Sequence, residues 1–159
     1  MFSIFRKKDS GKDAFGTAEE AVSCYHGGLN CTQAVLAVYG KRYGLDREKA
    51  LKIAGAFGSG MGRGDTCGAV TGALMVIGLK HTKVKGVRFI SKERTAECAR
   101  EFIALFQERN GSMVCRDLLE CDVSTREGLR EARKKKHFKT RCAKYVRDAA
   151  ELLDVMLKD

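Results

Sequence analysis

The chain has 159 residues, 44% of them apolar, which suffices for one domain with its own hydrophobic core. It holds no proline and no tryptophan, and its formal charge is +10. The longest apolar run, Ala69 to Leu79, is broken by Thr71, Gly72 and Gly78 and is too short for a bilayer span. The opening Met-Phe-Ser-Ile-Phe-Arg-Lys-Lys places charge after a very short apolar start, the reverse of a secretory signal, so the expected compartment is the cytoplasm.

Residues 1–16 read as a basic tail, in which Phe2, Ile4 and Phe5 could pack on the domain or on a partner. Residues 17–159 read as one helical domain. Thr17-Ala-Glu-Glu20 is a capping box that opens a short helix to about Tyr25, stopped by Gly27-Gly28. Asn30-Cys-Thr-Gln33 opens the next helix, whose Ala34, Val35, Val38 and Tyr39 form an apolar stripe, and Gly44 ends it. Asp46 caps a third, with Ala50, Leu51, Ile53, Ala54 and Phe57 on its inner side.

The glycine stretch from Gly55 to Gly64 leads into a segment over residues 66–80 that is apolar nearly all round, and so is expected to be the central, buried helix. Gly68, Ala69, Gly72 and Ala73 make a ridge of small residues along it, at a cost of about 1 kcal/mol per glycine in helix propensity, which calls for a closely packed neighbour. Ser91 begins a long amphipathic helix through Phe102, Ile103, Leu105 and Phe106 that closes at Asn110-Gly111. Ser112 caps a short helix with Cys115, Leu118 and Leu119, and Ser124-Thr-Arg-Glu127 is a further capping box. The last helix starts after Thr140 and carries Tyr145, Val146, Ala149, Ala150, Leu152, Leu153 and Met156. Alternation at period two is nowhere sustained. The expected fold is all-α, a single-domain bundle of about six to eight helices around the central one.

The seven cysteines divide into two kinds. Cys31, Cys67, Cys115 and Cys142 each follow a good capping residue: Asn30, Asp65 or Thr66, Ser112 and Thr140. A helix start offers unpaired N–H groups and the positive end of the dipole, which favours thiolate, the form that attacks disulfides and binds metals. Cys24, Cys98 and Cys121 lack this placement and read as small core residues. Cys67, joining the glycine loop to the central helix, is the strongest single candidate.

Several familiar chemistries are excluded. No Cys-x-x-Cys occurs, which argues against a thioredoxin-type dithiol, a zinc ribbon and bacterial ferredoxin spacing. His26, His81 and His137 lie far apart near expected helix ends and read as surface or capping residues. Gly58-Ser-Gly-Met-Gly-Arg-Gly64 lacks the Lys-Ser/Thr of a P-loop and follows no strand. Its simplest role is a connection with unusual backbone angles. An intermediate role is backbone donation from Gly60, Gly62, Gly64 and Gly68 to a thiolate or bound anion. The basic stretches Lys80–Arg88 and Arg126–Arg147 read as solvated faces rather than nucleic-acid sites, since no aromatic residues interleave with Arg133-Lys134-Lys135-Lys136.

At Cys67-Gly68-Ala69-Val70-Thr71-Gly72 the chain resembles the small redox-active proteins named for the pattern C_GCAxxG_C_C: a cysteine, a Cys-Gly-Ala-x-x-Gly motif and two later cysteines. The likeness extends over Gly28-Leu29-Asn30-Cys31-Thr32-Gln33-Ala34-Val35, the preceding glycines, Cys115 with Leu118-Leu119, and Cys142. It covers most of residues 17–157 and leaves out the tail and the Arg126–Lys139 run. The resemblance implies a redox role class rather than a defined reaction, an unidentified redox partner and an association with transport genes. The family's four cysteines map onto Cys31, Cys67, Cys115 and Cys142.

Three functions follow as expectations. The first is thiol–disulfide or electron-transfer chemistry, with Cys67 and Cys31 most reactive and Cys115 and Cys142 as resolving partners. The second is zinc or an iron–sulfur cluster held by the same four thiolates. The third is a non-catalytic helical adaptor with a basic binding face. The long helix over 91–108 and the small-residue ridge could serve a homodimer as easily as a monomer core. The first two functions need separate helix N-termini to converge on the four cysteines and leave the other three outside.

Overall fold

A computed structural model describes residues 16–86, 88–89 and 92–158. The expectations for Phe2, Ile4 and Phe5 and for Ser91 fall outside these residues. Among the described residues there are eight α-helices: α1 Ala18–His26, α2 Cys31–Tyr39, α3 Arg47–Ile53, α4 Gly68–His81, α5 Lys92–Asn110, α6 Cys115–Leu119, α7 Arg126–Lys134 and α8 Arg141–Met156. The fold is all-α. Among the described residues strand is confined to two two-residue segments, β1 Val84–Lys85 and β2 Arg88–Phe89, paired antiparallel, and to one isolated bridge between Thr66 and Val114. None of these helices is long and apolar enough to cross a membrane.

Helix α4 packs against α2, α5 and α8, with Ala69, Val70, Ala73, Val76 and Ile77 fully buried. Its small-residue ridge meets α2. A methyl at Gly72 would stand 2.9 Å from the Thr32 carbonyl oxygen and 3.1 Å from Val35 Cβ, so glycine there lets two helix backbones touch. The core divides into two clusters. The larger takes residues from α1, α2, α4, α5 and α8, including Phe102 and Phe106. The smaller holds Cys115, Leu119, Cys121, Val123 and Ala132 beneath α6 and α7, and Tyr145 packs on both.

The caps are partly those expected. Thr17 Oγ1 accepts the Glu20 N–H at 3.1 Å, Asp46 accepts that of Lys49, and Asn30 with Gln33 closes a full capping box. Four others differ. Cys67 itself occupies the cap position of α4, because Asp65 and Thr66 are drawn into a bridge with 113–115. The α6 cap is Val114, held from outside by Ser112 Oγ at 3.0 Å. The α7 cap is Thr125, since Ser124 is engaged with Asp122. Thr140 holds the cap position of α8 as expected, but its hydroxyl donates to the Lys136 carbonyl instead of accepting a helix N–H. Ile53 points outward, 54% exposed, because α3 is cut short by a 3-10 turn at Ala54–Ala56. Arg126, Arg130, Arg133, Lys134, Lys136 and Lys139 are exposed, as a solvated face requires.

Candidate functional site

The starts of α2, α4, α6 and α8 converge on one cavity of about 210 Å³. Cys31, Cys67, Cys115 and Cys142 all line it, beside Tyr25, Leu29, Leu118, Leu119, Phe138 and Tyr145. It lies at the seam of the two core clusters: Cys67 and Leu118 belong to the larger, Cys115 and Leu119 to the smaller. Cys24, Cys98 and Cys121 are not among its lining residues. Cys24 faces the Arg47 guanidinium, and Cys98 and Cys121 are buried, one in each cluster. All seven thiols are free.

Short backbone ties set this arrangement. The Cys67 N–H donates to the Met113 carbonyl at 2.8 Å and the Cys115 N–H to that of Asp65 at 2.6 Å, on either side of the Thr66–Val114 bridge. Parity along the two strands puts Cys67 and Cys115 on the same side of this miniature ladder. Arg116 reinforces it by donating to Asp65 at 2.7 Å. On the other wall the Cys31 sulfur packs against the backbone of Gly68, where a Cβ would overlap it.

The glycines have separate duties. Gly68 lines the cavity. Gly60, at φ +60°, lies behind Cys115, where a Cβ would come within 2.9 Å of the cysteine's own. Gly64 abuts Arg116, and Gly62 faces open space. The glycine loop therefore shapes the wall around Cys115 rather than forming a cradle of four amides. Its contribution to a sulfur comes from Ser59, whose N–H faces Cys31.

Burial reverses the expected ionisation. It pushes all four thiols up, against backbone amides at Cys31 and Cys67. Cys31 is raised although the amides of Ser59, Thr32 and Gly68 pull it down. Cys67 is raised well above the usual thiol range by burial and by the neighbouring Cys31, opposed by the amides of Ala69 and Val70. Cys115 is pushed up to about 12 by burial and Cys31, with Arg116 opposing. Cys142 is likewise pushed up to about 12 by burial and Cys31, with the Tyr25 hydroxyl opposing. At neutral pH the site is a pool of neutral thiols. Cys31 is its electrostatic centre, since its charge bears on each of the other three.

Among the described residues no group of three or more His, Cys, Asp or Glu side chains is arranged to hold a metal ion. The sulfurs surround a space rather than a coordination shell, and the zinc or iron–sulfur alternative finds no ligand geometry in Cys31, Cys67, Cys115 and Cys142. His137 is buried, 8% exposed, with Nε2 unpartnered, which corrects its reading as a surface residue.

The aromatic and aliphatic wall was missed in the sequence, although part of it was signalled. Leu118 and Leu119 follow Cys115 by three and four residues, and Phe138 and Tyr145 flank Cys142 by four and three, the spacings that share a helix face. Tyr25 had no such signal, because it arrives from α1, packed along α8. Its hydroxyl donates to the Phe138 carbonyl at 2.8 Å, and that of Tyr145 to the Leu118 carbonyl at 2.9 Å.

No curated protein and no solved structure matches the chain. A family model described as "Putative redox-active protein (C_GCAxxG_C_C)" matches residues 29–156, the span that holds all four cavity cysteines. With that match over most of its length, the chain belongs to the C_GCAxxG_C_C family.

Proposed function

We propose that this is a thiol-redox protein in which Cys31 forms a reversible disulfide with one of Cys67, Cys115 and Cys142. The observation that supports this most is the selective gathering of four cysteines, from four helix starts, around one cavity while three others stay outside. Cys31 is the attacking thiol in this reading. The amides of Ser59, Thr32 and Gly68 face its sulfur and stabilise its anion against burial. Its central position gives it three candidate partners.

In the oxidising half-reaction two thiols give up two electrons and two protons to an oxidant, and one S–S bond forms. A partner dithiol reverses the step. Raised thiol pKa values slow attack by bulk oxidants and keep the reduced form stable. Seven free thiols suit a reducing compartment such as the cytoplasm.

One equivalent of diamide, followed by peptide mapping without reductant, tests this reading. The expected product links Cys31 to one of the other three cavity cysteines and leaves Cys24, Cys98 and Cys121 free. Oxidation confined to those outer three, or unchanged in Cys31→Ser, would rule the reading out.

A further inference from the structure

We propose that the cavity takes a small, uncharged organic disulfide as its redox substrate, rather than a charged one or a protein. This rests on the thiol-redox reading above and names its substrate class. The first reason is access. Cys67 and Cys115 are each 6% exposed, and Cys31 and Cys142 are half-buried in the same recess. A protein disulfide, held in its own backbone, cannot bring a sulfur into line with thiols placed this way. A free small molecule can, and about 210 Å³ exceeds the roughly 150 Å³ apolar cavity that accommodates benzene.

The second reason is charge. Among the described residues no Asp, Glu, Lys, Arg or His side chain lines the cavity. The guanidinium groups adjoining Cys115 and Cys142 in sequence have partners of their own: Arg116 pairs with Asp65, and Arg141 with Glu120 and the Leu118 carbonyl. A carboxylate or ammonium entering here loses water and finds no counter-ion.

The third is the placement of polar groups. The hydroxyls of Tyr25 and Tyr145 are bound to backbone carbonyls. The Asn30 side chain is occupied by Ala54, Gly55 and Gln33. Ser59 is the lining side chain with an uncommitted hydroxyl among the described residues, so besides the thiols the side chains offer the occupant one neutral hydroxyl.

The chemistry balances with the substrate as oxidant. The Cys31 sulfur attacks one sulfur of R–S–S–R, the substrate S–S bond breaks, and the departing thiolate takes up the proton that Cys31 lost. A second cavity thiol then attacks Cys31 in the mixed disulfide and releases a second RSH with its own proton. Two cysteines are oxidised to one disulfide, and the substrate is reduced to two thiols.

The test is a single turnover of the reduced full-length protein with three disulfides: bis(2-hydroxyethyl) disulfide, anionic dithiodiglycolate and cationic cystamine. Each rate is divided by that of the same disulfide with free dithiothreitol. The neutral compound is expected to react at least about tenfold faster than either charged one, the factor that about 1.4 kcal/mol of uncompensated desolvation produces. Leu29→Arg, which places a cation at the half-exposed edge of the cavity, is expected to raise the dithiodiglycolate rate selectively. Equal normalised rates for all three, or insulin with its disulfides intact reacting as fast as the neutral compound, would overturn the substrate class and leave the redox reading standing. Failure of all three to oxidise the cavity cysteines would overturn both.

Discussion

The sulfur of Cys31 rests against the backbone of Gly68, the residue that follows Cys67. A Cβ at Gly68 would overlap Cys31 Sγ and stand 2.5 Å from Thr32 Oγ1 and 3.1 Å from the Phe57 carbonyl oxygen. One glycine thus joins two of the four site cysteines, and the gap between α2 and α4 is set by the absence of its side chain.

Gly68→Ala should therefore act on the site rather than on helix propensity, which alone would favour alanine. Overpacking of this kind costs about 1–3 kcal/mol and forces Cys31 off its position. The expected result is a lower Tm, with Cys31 alkylated at a changed rate while Cys24 stays as before. Gly62→Ala is the contrast. Nothing lies within 4 Å there, and the strain of φ +66° should lower stability by about 1–2 kcal/mol without altering Cys31.

Tyr25→Phe removes the hydroxyl that opposes burial at Cys142 and leaves the Phe138 carbonyl without its donor. Stability should fall by about 0.5–1.5 kcal/mol. The Cys142 thiol should titrate higher still, so its alkylation near pH 9 should slow more than that of Cys31. Equal slowing at both would show that Tyr25 supports the cavity generally and does not act on Cys142.

Alkaline pH should unfold the protein in a defined window. Cys115 and Cys142 have folded pKa values raised from 9.0 to about 12, so above pH 9 the folded state binds more protons than the unfolded one. Their contribution is fully present below pH 9 and is lost as pH rises toward 12. Denaturant titrations from pH 8 to 11 should show falling stability, with a shallower fall in Cys142→Ser. An unchanged slope in that variant would mean that Cys142 is not desolvated as described.

Arg116→Ala tests what aligns Cys67 with Cys115. The Arg116–Asp65 pair is close to half exposed, and such pairs contribute about 0–1 kcal/mol. The two backbone hydrogen bonds across 65–67 and 113–115 remain in the variant. The disulfide formed on mild oxidation should be the same as in the parent, and a changed pairing would transfer the alignment to the ion pair.

Zinc should bind weakly. Neutral thiols without a coordination shell must lose protons and rearrange before they can ligate. Competition with a chromophoric chelator should leave the metal on the chelator. Stoichiometric capture by the protein would revive the metal reading of Cys31, Cys67, Cys115 and Cys142.

Local chemistry was legible wherever neighbours in the chain decide it. Asn30 and Gln33 announce the start of α2, and the all-apolar stretch through Val76 and Ile77 announces the central helix. Helix-start placement and the family resemblance together separated Cys31, Cys67, Cys115 and Cys142 from Cys24, Cys98 and Cys121, and the cavity makes the same division. The caps expected at Ser112 and Ser124 fall elsewhere, and Thr140 caps α8 without its side chain, because side chains and backbone some residues away compete for the same groups. The approach of α1, which brings Tyr25, and the burial of His137 depend on contacts that leave no local trace.

The sequence by itself determined that four cysteines stand at helix starts, where Cys31 and Cys67 meet backbone amides, a matter of a few covalent neighbours. Only the tertiary structure decided what those amides work against. Packing the four starts together buries the sulfurs, and at Cys31 and Cys67 desolvation outweighs the amides. The site the sequence announced as thiolate is, once folded, a pocket of neutral thiols, because solvation belongs to the assembled surface and not to any one helix.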